Sequence, residues 1–197
     1  MAKRVDHDQR RRQIAEAVWR IAAARGLESV SMREVAAEAG VSLRLVQYYF
    51  ETKHNLLVLA LRYLHEQGEQ RAQARIAELP DESARGALRS VLTELLPLDE
   101  ERTQSLRVHI AYFSRTHSDP ELAKVFLGEG TPIEDLVTGL LSAASLVPGA
   151  DPRHEANLLV SGITGLGLDV LHDRYRPDEV IATLDYHLDR LFGTAGA

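Results

Sequence analysis

Apolar residues recur three and four positions apart along almost the whole of this chain, the spacing that gathers side chains on one face of an α-helix. No run of alternating β-branched residues competes with it, so the expected fold class is all-α. Ile14, Ala17, Val18, Ile21 and Ala22 form a first stripe that stops at Gly26. Ser31 opens a short helix through Val35, Ala36 and Ala39, stopped by Gly40. A third segment runs from Ser42 to about Tyr49. Thr52 is placed to cap a long fourth helix carrying Leu56, Leu57, Ala60, Leu61 and Leu64 and reaching about Leu79, before Pro80.

The pattern continues downstream. Asp81 or Ser83 opens a helix with Leu88, Val91, Leu92 and Leu95, closed by Pro97. Asp99 caps the next, with Leu106, Ile110 and Phe113, and Asp119-Pro120 begins another. Gly128, Gly130 and Pro132 interrupt the period before Ile133, Leu136, Val137, Leu140 and Leu141 resume it. Asp151-Pro152 opens a helix to about Asp173, and Pro177 opens the last, with Ile181, Leu184, Leu188 and Leu191. Residues from Gly193 to Ala197 are expected to fray.

With 197 residues and no cysteine, the chain can bury a core without disulfide or metal staples. The lack of thiols excludes a cysteine nucleophile and a cysteine zinc site, and fits a reducing cytoplasm, the expected location. The longest apolar run, Leu56–Leu61, falls far short of a bilayer span, and the basic N-terminus leads into no apolar signal core. Charge is uneven. Residues 1–75 carry +4 and residues 76–197 carry −10, which together give the net −6. That asymmetry fits a basic face for a polyanion or an unevenly charged solvated surface, and charge alone leaves both open.

The most specific pattern lies between Met32 and Tyr49. Ala36 is small where two helices must approach, and Gly40 follows four residues later at the turn, where a positive φ suits glycine. Val35, Ala39, Val41, Val46 and Tyr49 take the positions that pack the two helices together. This describes a helix-turn-helix whose second helix enters the major groove of duplex DNA. Ser42 then starts the recognition helix, and Leu43, Arg44, Leu45 and Tyr48 are expected to face base edges. Arg44 is the best direct reader, because a guanidinium pairs bidentately with guanine. Ser31, Gln47, Tyr49, Thr52 and Lys53 suit phosphate contacts. Arg10, Arg11 and Arg12 suit backbone contact or simple solubility, and both readings stay open. Trp19 is expected in the core.

The stretch Ile14–Leu57 reads IAEAVWRIAAARGLESVSMREVAAEAGVSLRLVQYYFETKHNLL. Its Ile14…Ala17…Gly26, Val35-Ala36…Ala39-Gly40-Val41-Ser42, Tyr49-Phe50, Thr52-Lys53 and Leu56-Leu57 resemble the DNA-binding domain of the tetracycline-repressor-like (TetR) regulators. Most members carry tyrosine where this chain has Gln47, a departure at a phosphate contact. Leu98 to Leu122 resembles a subgroup that includes choline-responsive repressors, from which no effector follows. The resemblance implies a helix-turn-helix domain over residues 1–52, with Thr52 beginning the connecting helix, and a helical ligand-binding and dimerisation domain over 53–197. It also places Arg33 within reach of a base.

The implied protein is a homodimer on a palindromic operator, released by a small-molecule effector that moves the fourth helix. The last two helices are the expected dimer surface, through Gly162, Gly165, Ile181, Leu184, Leu188 and Leu191, with Gly167 nearby. Leu92, Leu95, Leu106, His109, Tyr112, Phe113, Phe126 and Val137 are the candidate effector contacts, and their character favours an apolar or amphipathic molecule. No cofactor, catalytic residue or metal site is expected. His154-Glu155 starts like a zinc-protease helix, but position 158 is leucine, and Gly162, Gly165 and Gly167 are in the wrong order for a dinucleotide loop. An activator of the same fold and a protein-binding helical module without DNA affinity are the remaining alternatives.

Overall fold

The computed structural model describes residues 2–77, 83–128 and 132–193. Leu79, Pro80, Asp81, Gly130 and the terminal residues beyond Gly193 lie outside the described residues. The described residues form ten α-helices and one 3-10 turn, with no strand. They are α1 (Ala2–Arg25), α2 (Met32–Glu38), α3 (Leu43–Phe50), α4 (Lys53–Ala77), α5 (Ala84–Thr93), α6 (Glu100–Thr116), α7 (Pro120–Leu127), α8 (Pro132–Ser142), α9 (Pro152–Leu171) and α10 (Pro177–Leu191). The 3-10 turn, Leu27–Ser29, follows α1.

Local chemistry explains the starts. Side-chain oxygens of Ser31, Ser42, Thr52, Ser83, Asp99, Asp119 and Asp151 accept from free amides in the first turns of α2 to α7 and α9. Ser83 therefore opens α5. Proline at the first position of α7, α9 and α10 fills a site whose amide has no helical partner.

Packing divides the chain into two compact units that do not follow chain order. The first joins Met1–Gln67 to Arg107–Glu129, and the second joins Gly68–Leu106 to Gly130–Ala197. Thr52 marks the start of α4, as expected of the connecting helix. Leu56, Leu57, Ala60, Leu61 and Leu64 of that helix nevertheless lie in the first core, which carries the unit on to Gln67.

The first core gathers Ile14, Val18, Val30, Val35, Val46 and Phe50 with those α4 residues and Val108, Tyr112 and Leu122. Trp19 is buried in it, and its indole N–H donates to the Ala60 carbonyl at 3.0 Å. The Tyr112 hydroxyl donates to the Leu57 carbonyl at 2.9 Å. Two aromatic tips thus hold successive turns at the start of α4.

The second core gathers Leu88, Val91 and Leu92 from α5, Val137 and Leu141 from α8, Ala156, Val160 and Ile163 from α9, and Val180, Leu184, Leu188 and Leu191 from α10. Gly167 permits a close approach there, since a Cβ at this position would lie 3.2 Å from both Leu106 Cδ2 and the Leu95 carbonyl. Arg85 and Arg89 of α5 pair with Asp185 and Asp189 of α10.

Candidate nucleic-acid interface

The α2–α3 unit is built from the inside outward. Val35, Ala36, Ala39, Val46 and Phe50 are buried, so each helix has one face committed to the core. Between the helices, Gly40 adopts φ +65°, and the amide of Val41 bonds the Ala36 carbonyl at 2.9 Å. A side chain at Gly40 would be strained in that turn.

The committed face leaves Ser42, Arg44, Gln47 and Tyr48 exposed. Tyr48 is 70% exposed and meets the Tyr49 ring edge-on, which leaves most of its surface open to a partner. Leu43, expected to face DNA, is partly buried. Its side chain packs against the first core, because the first turn of α3 lies over that core. Leu45, partly buried, is left as the apolar candidate at a base edge.

Ionic commitments sort the cations. Arg20 pairs with Glu38 at 2.6 Å and Arg25 with Glu34 at 3.2 Å. Arg33, Arg44 and Lys53 are exposed and make no ion pair among the described residues. The three uncommitted charges sit in the first turns of α2, α3 and α4. The cap hydroxyls of Ser31, Ser42 and Thr52 occupy the same three helix starts. Each uses its oxygen to accept an amide, which leaves its O–H able to donate to a phosphate. The unpaired amides at the start of α4 add to the charge of Lys53.

Tyr49 is a second departure. The hydroxyl expected at a phosphate bonds His7 Nδ1 at 2.8 Å, and the ring packs among His7, Tyr48 and Phe50. After Phe50 the chain turns through Glu51 at φ +58°, with the Thr52 amide bonded to the Phe50 carbonyl. That is a γ-turn of the rare positive-φ kind, joining the reading helix to α4. Beside it lies an open groove of about 290 Å³ lined by Tyr49, Phe50, Glu51, Asn55, Val58, Leu59 and Arg62. None of the expected effector residues lines it, and no sequence signal marked it.

The effector candidates divide between the units. His109, Tyr112, Phe113 and Phe126 belong to the first, and Leu92, Leu95, Leu106 and Val137 to the second. Leu92, Tyr112 and Val137 are 0% exposed and belong to the packed cores. Leu106 is buried and Leu95 partly buried beside Gly167. The first unit does bring an aromatic set together. The rings of His109 and Phe126 lie 4.6 Å apart, those of Phe113 and Phe126 6.0 Å, and those of His65 and Phe126 6.4 Å. Burial, with the nearby His65 charge second, lowers the His109 pKa to about 4, so its imidazole is neutral at pH 7. His65 was not anticipated, although it lies four residues after Leu61 on the same helical face.

The expected dimer residues also divide. Leu184, Leu188 and Leu191 are buried in the protomer's own core and have no surface left for a partner, and Ile181 is half-buried against it. Gly162 and Gly165 are exposed, with no atom within 4 Å of a Cβ placed there. They share a face of α9 with Leu158, while Ala182 and Tyr186 are exposed on α10. Leu158 and Tyr186, 70% and 57% exposed, were not anticipated, although Leu158, Gly162 and Gly165 keep helical spacing. No helix among the described residues is long and apolar enough to cross a membrane.

Comparison with known proteins agrees with this geometry. Residues 14–61 match the model for bacterial regulatory proteins of the tetR family, and residues 84–193 match the BetI-type transcriptional repressor, C-terminal. The chain is 31% identical to the HTH-type transcriptional regulator PksA of Bacillus subtilis, over 97% of this chain and 94% of that protein. It is 25% identical to the HTH-type transcriptional regulator BetI of Serratia proteamaculans, over 81% of this chain and 79% of that protein. Among solved structures, a transcriptional regulator from a Rhodococcus species superposes with a TM-score of 0.80 at 29% identity, covering 95% of this chain and 98% of that one.

Proposed function

This chain belongs to the TetR family of bacterial regulators, which bind DNA through a helix-turn-helix, and from that membership we propose that it is a homodimeric, effector-released repressor. The observation that carries the DNA contact is that Arg33, Arg44 and Lys53, exposed and without an ion pair among the described residues, each sit in the first turn of a helix capped by a hydroxyl, at the starts of α2, α3 and α4. Arg44 reads a base, with Arg33, Leu45 and Tyr48 beside it. Ser31, Ser42, Gln47, Thr52 and Lys53 hold the backbone. Two copies read a palindrome whose half-sites lie about 34–36 Å apart.

The dimer forms through the exposed face of α9 and α10, with Leu158, Gly162, Gly165, Ala182 and Tyr186 at its centre. The effector is an uncharged or amphipathic molecule that meets His109, Phe113 and Phe126, with His65 at the edge of the set. It acts by binding the DNA-incompetent state more tightly than the competent one. Selection of bound duplexes from a random library tests the reading. An enriched palindrome supports it, and the same duplex then serves to screen compounds for release. No enrichment from effector-free protein at low salt overturns it. Expression of a reporter behind the selected site rises on deletion of the gene if the protein represses, and falls if it activates.

A further inference from the structure

Three consecutive arginines near the N-terminus carry the same charge into different surroundings. Arg12 is committed. Its Nε lies 3.2 Å from Asp8 Oδ2, its Nη2 lies 3.1 Å from Glu66 Oε2, and its guanidinium lies over the Tyr63 ring at 4.7 Å. The Tyr63 hydroxyl donates to Asp8 at 2.9 Å and remains a donor, its pKa pushed up to about 12 by burial and that bond. Arg12 thereby ties α1 to α4 and has no charge left over.

Arg10 and Arg11 make no ion pair among the described residues. Arg10 donates to Gln13 Oε1 at 2.7 Å, and Gln13 in turn donates to the Ala39 carbonyl at 2.9 Å, at the turn of the helix-turn-helix. Arg11 lies 5.7 Å from the centre of the Tyr49 ring, on the recognition helix, and Tyr49 is held by His7 one helical turn earlier in α1. These contacts seat the first turns of α1 beside α3. Arg10 and Arg11 thus sit beside the reading unit without an ion pair among the described residues, while Arg12 is neutralised by Asp8 and Glu66.

We propose that Arg10 and Arg11 form a second grip on the phosphate backbone of the bound duplex, outside the recognition helix, and that Arg12 is purely structural. The proposal rests on the DNA-binding reading above. The occupant follows from charge. Two guanidiniums with no ion pair among the described residues, beside a DNA-reading helix, suit a polyanion, and arginine suits phosphate bidentately. The grip is indifferent to sequence, because it touches no base edge.

The test is a salt series of binding titrations with the full chain and a labelled duplex carrying the selected site. Arg10→Ala and Arg11→Ala are each expected to flatten the slope of log K against log salt by about 1.8 for the bound dimer, one lost contact in each protomer, and to weaken matched and mismatched duplexes alike. Arg12→Ala keeps the wild-type slope and lowers the melting temperature. Arg11→Lys keeps the charge and restores the slope. Wild-type slopes in Arg10→Ala and Arg11→Ala, with a flattened slope in Lys53→Ala, overturn the grip alone. A flattened slope in Arg12→Ala overturns the division of roles. An unchanged slope in Lys53→Ala as well overturns the proposed docking of this unit on the phosphate backbone, and the grip with it.

Discussion

Arg44 and Lys53 carry the same charge, yet their positions assign them different tasks. Arg44 is exposed on the second position of the recognition helix, where a guanidinium meets base edges. Replacing it with alanine is expected to weaken specific binding by about 1–3 kcal/mol for each half-site and to relax preference at one base pair in each. Titration against single-site operator variants checks this, and an unchanged preference profile would sink the assignment. Lys53 opens α4 beside free amides, so Lys53→Ala weakens every sequence alike and flattens the salt slope of the bound dimer by about 1.8, one contact in each protomer. The exposure of Arg44 and Lys53 and the capping at each helix start were legible in the sequence, because cap residues and helix starts follow local rules. The packing of Leu43 and Tyr49 was not. Which of two nearby leucines turns inward depends on where the core lies. Whether a tyrosine hydroxyl is free depends on a histidine 42 positions away.

Elements meet at joints that local rules describe poorly. Helix breakers announced nearly every helix end, but nothing at Glu51 predicted a residue at φ +58° between α3 and α4. Glycine reaches that conformation without the Cβ penalty. Glu51→Gly is therefore expected to stabilise the fold by about 0.5–1 kcal/mol, less whatever is lost to the freer unfolded chain. A thermal melt decides it, and a lower melting temperature would mean that the Glu51 side chain contributes more than the strain removes.

The packing of α6 against α7 gives a second prediction at this scale. The His109 pKa is lowered from 6.5 to about 4, so between those values the unfolded chain binds more protons than the folded one. Stability from His109 is then fully present above pH 6.5 and declines as pH falls towards 4. The loss is of order 3 kcal/mol over that window. Denaturant midpoints measured across it in wild type and His109→Gln test this directly. The variant's midpoint should fall less steeply. Parallel curves would place the acid sensitivity elsewhere. A histidine at helical spacing with Leu106 and Phe113 was visible in the sequence. Its partners were not, since His65 and Phe126 reach it from α4 and α7.

At the scale of the whole molecule, the question is which leucines on the last two helices belong to the protomer and which to the pair. Apolar spacing cannot separate them, because both sets recur at helical period. Burial separates those of the protomer's core from those left on its surface. Leu188 is 0% exposed and holds the second core, whereas Leu158 is 70% exposed on the face that also carries Gly162 and Gly165. A glutamate at position 158 leaves no core contact unmade, so its effect on protomer stability stays within about 0.5 kcal/mol. At a two-fold interface the same change sets two carboxylates on one self-complementary patch and removes apolar area from both copies. Leu158→Glu is therefore expected to sediment as a folded monomer with the wild-type helical spectrum. It should hold one half-site only and lose most of its operator affinity. Leu188→Glu, in contrast, buries an unpaired charge and is expected to unfold the second unit rather than merely split the dimer. The pair of variants separates two causes of lost DNA binding. A folded Leu158→Glu dimer with wild-type affinity moves the interface to another face, whereas a folded monomer with one half-site makes spacing between reading heads the quantity an effector must change.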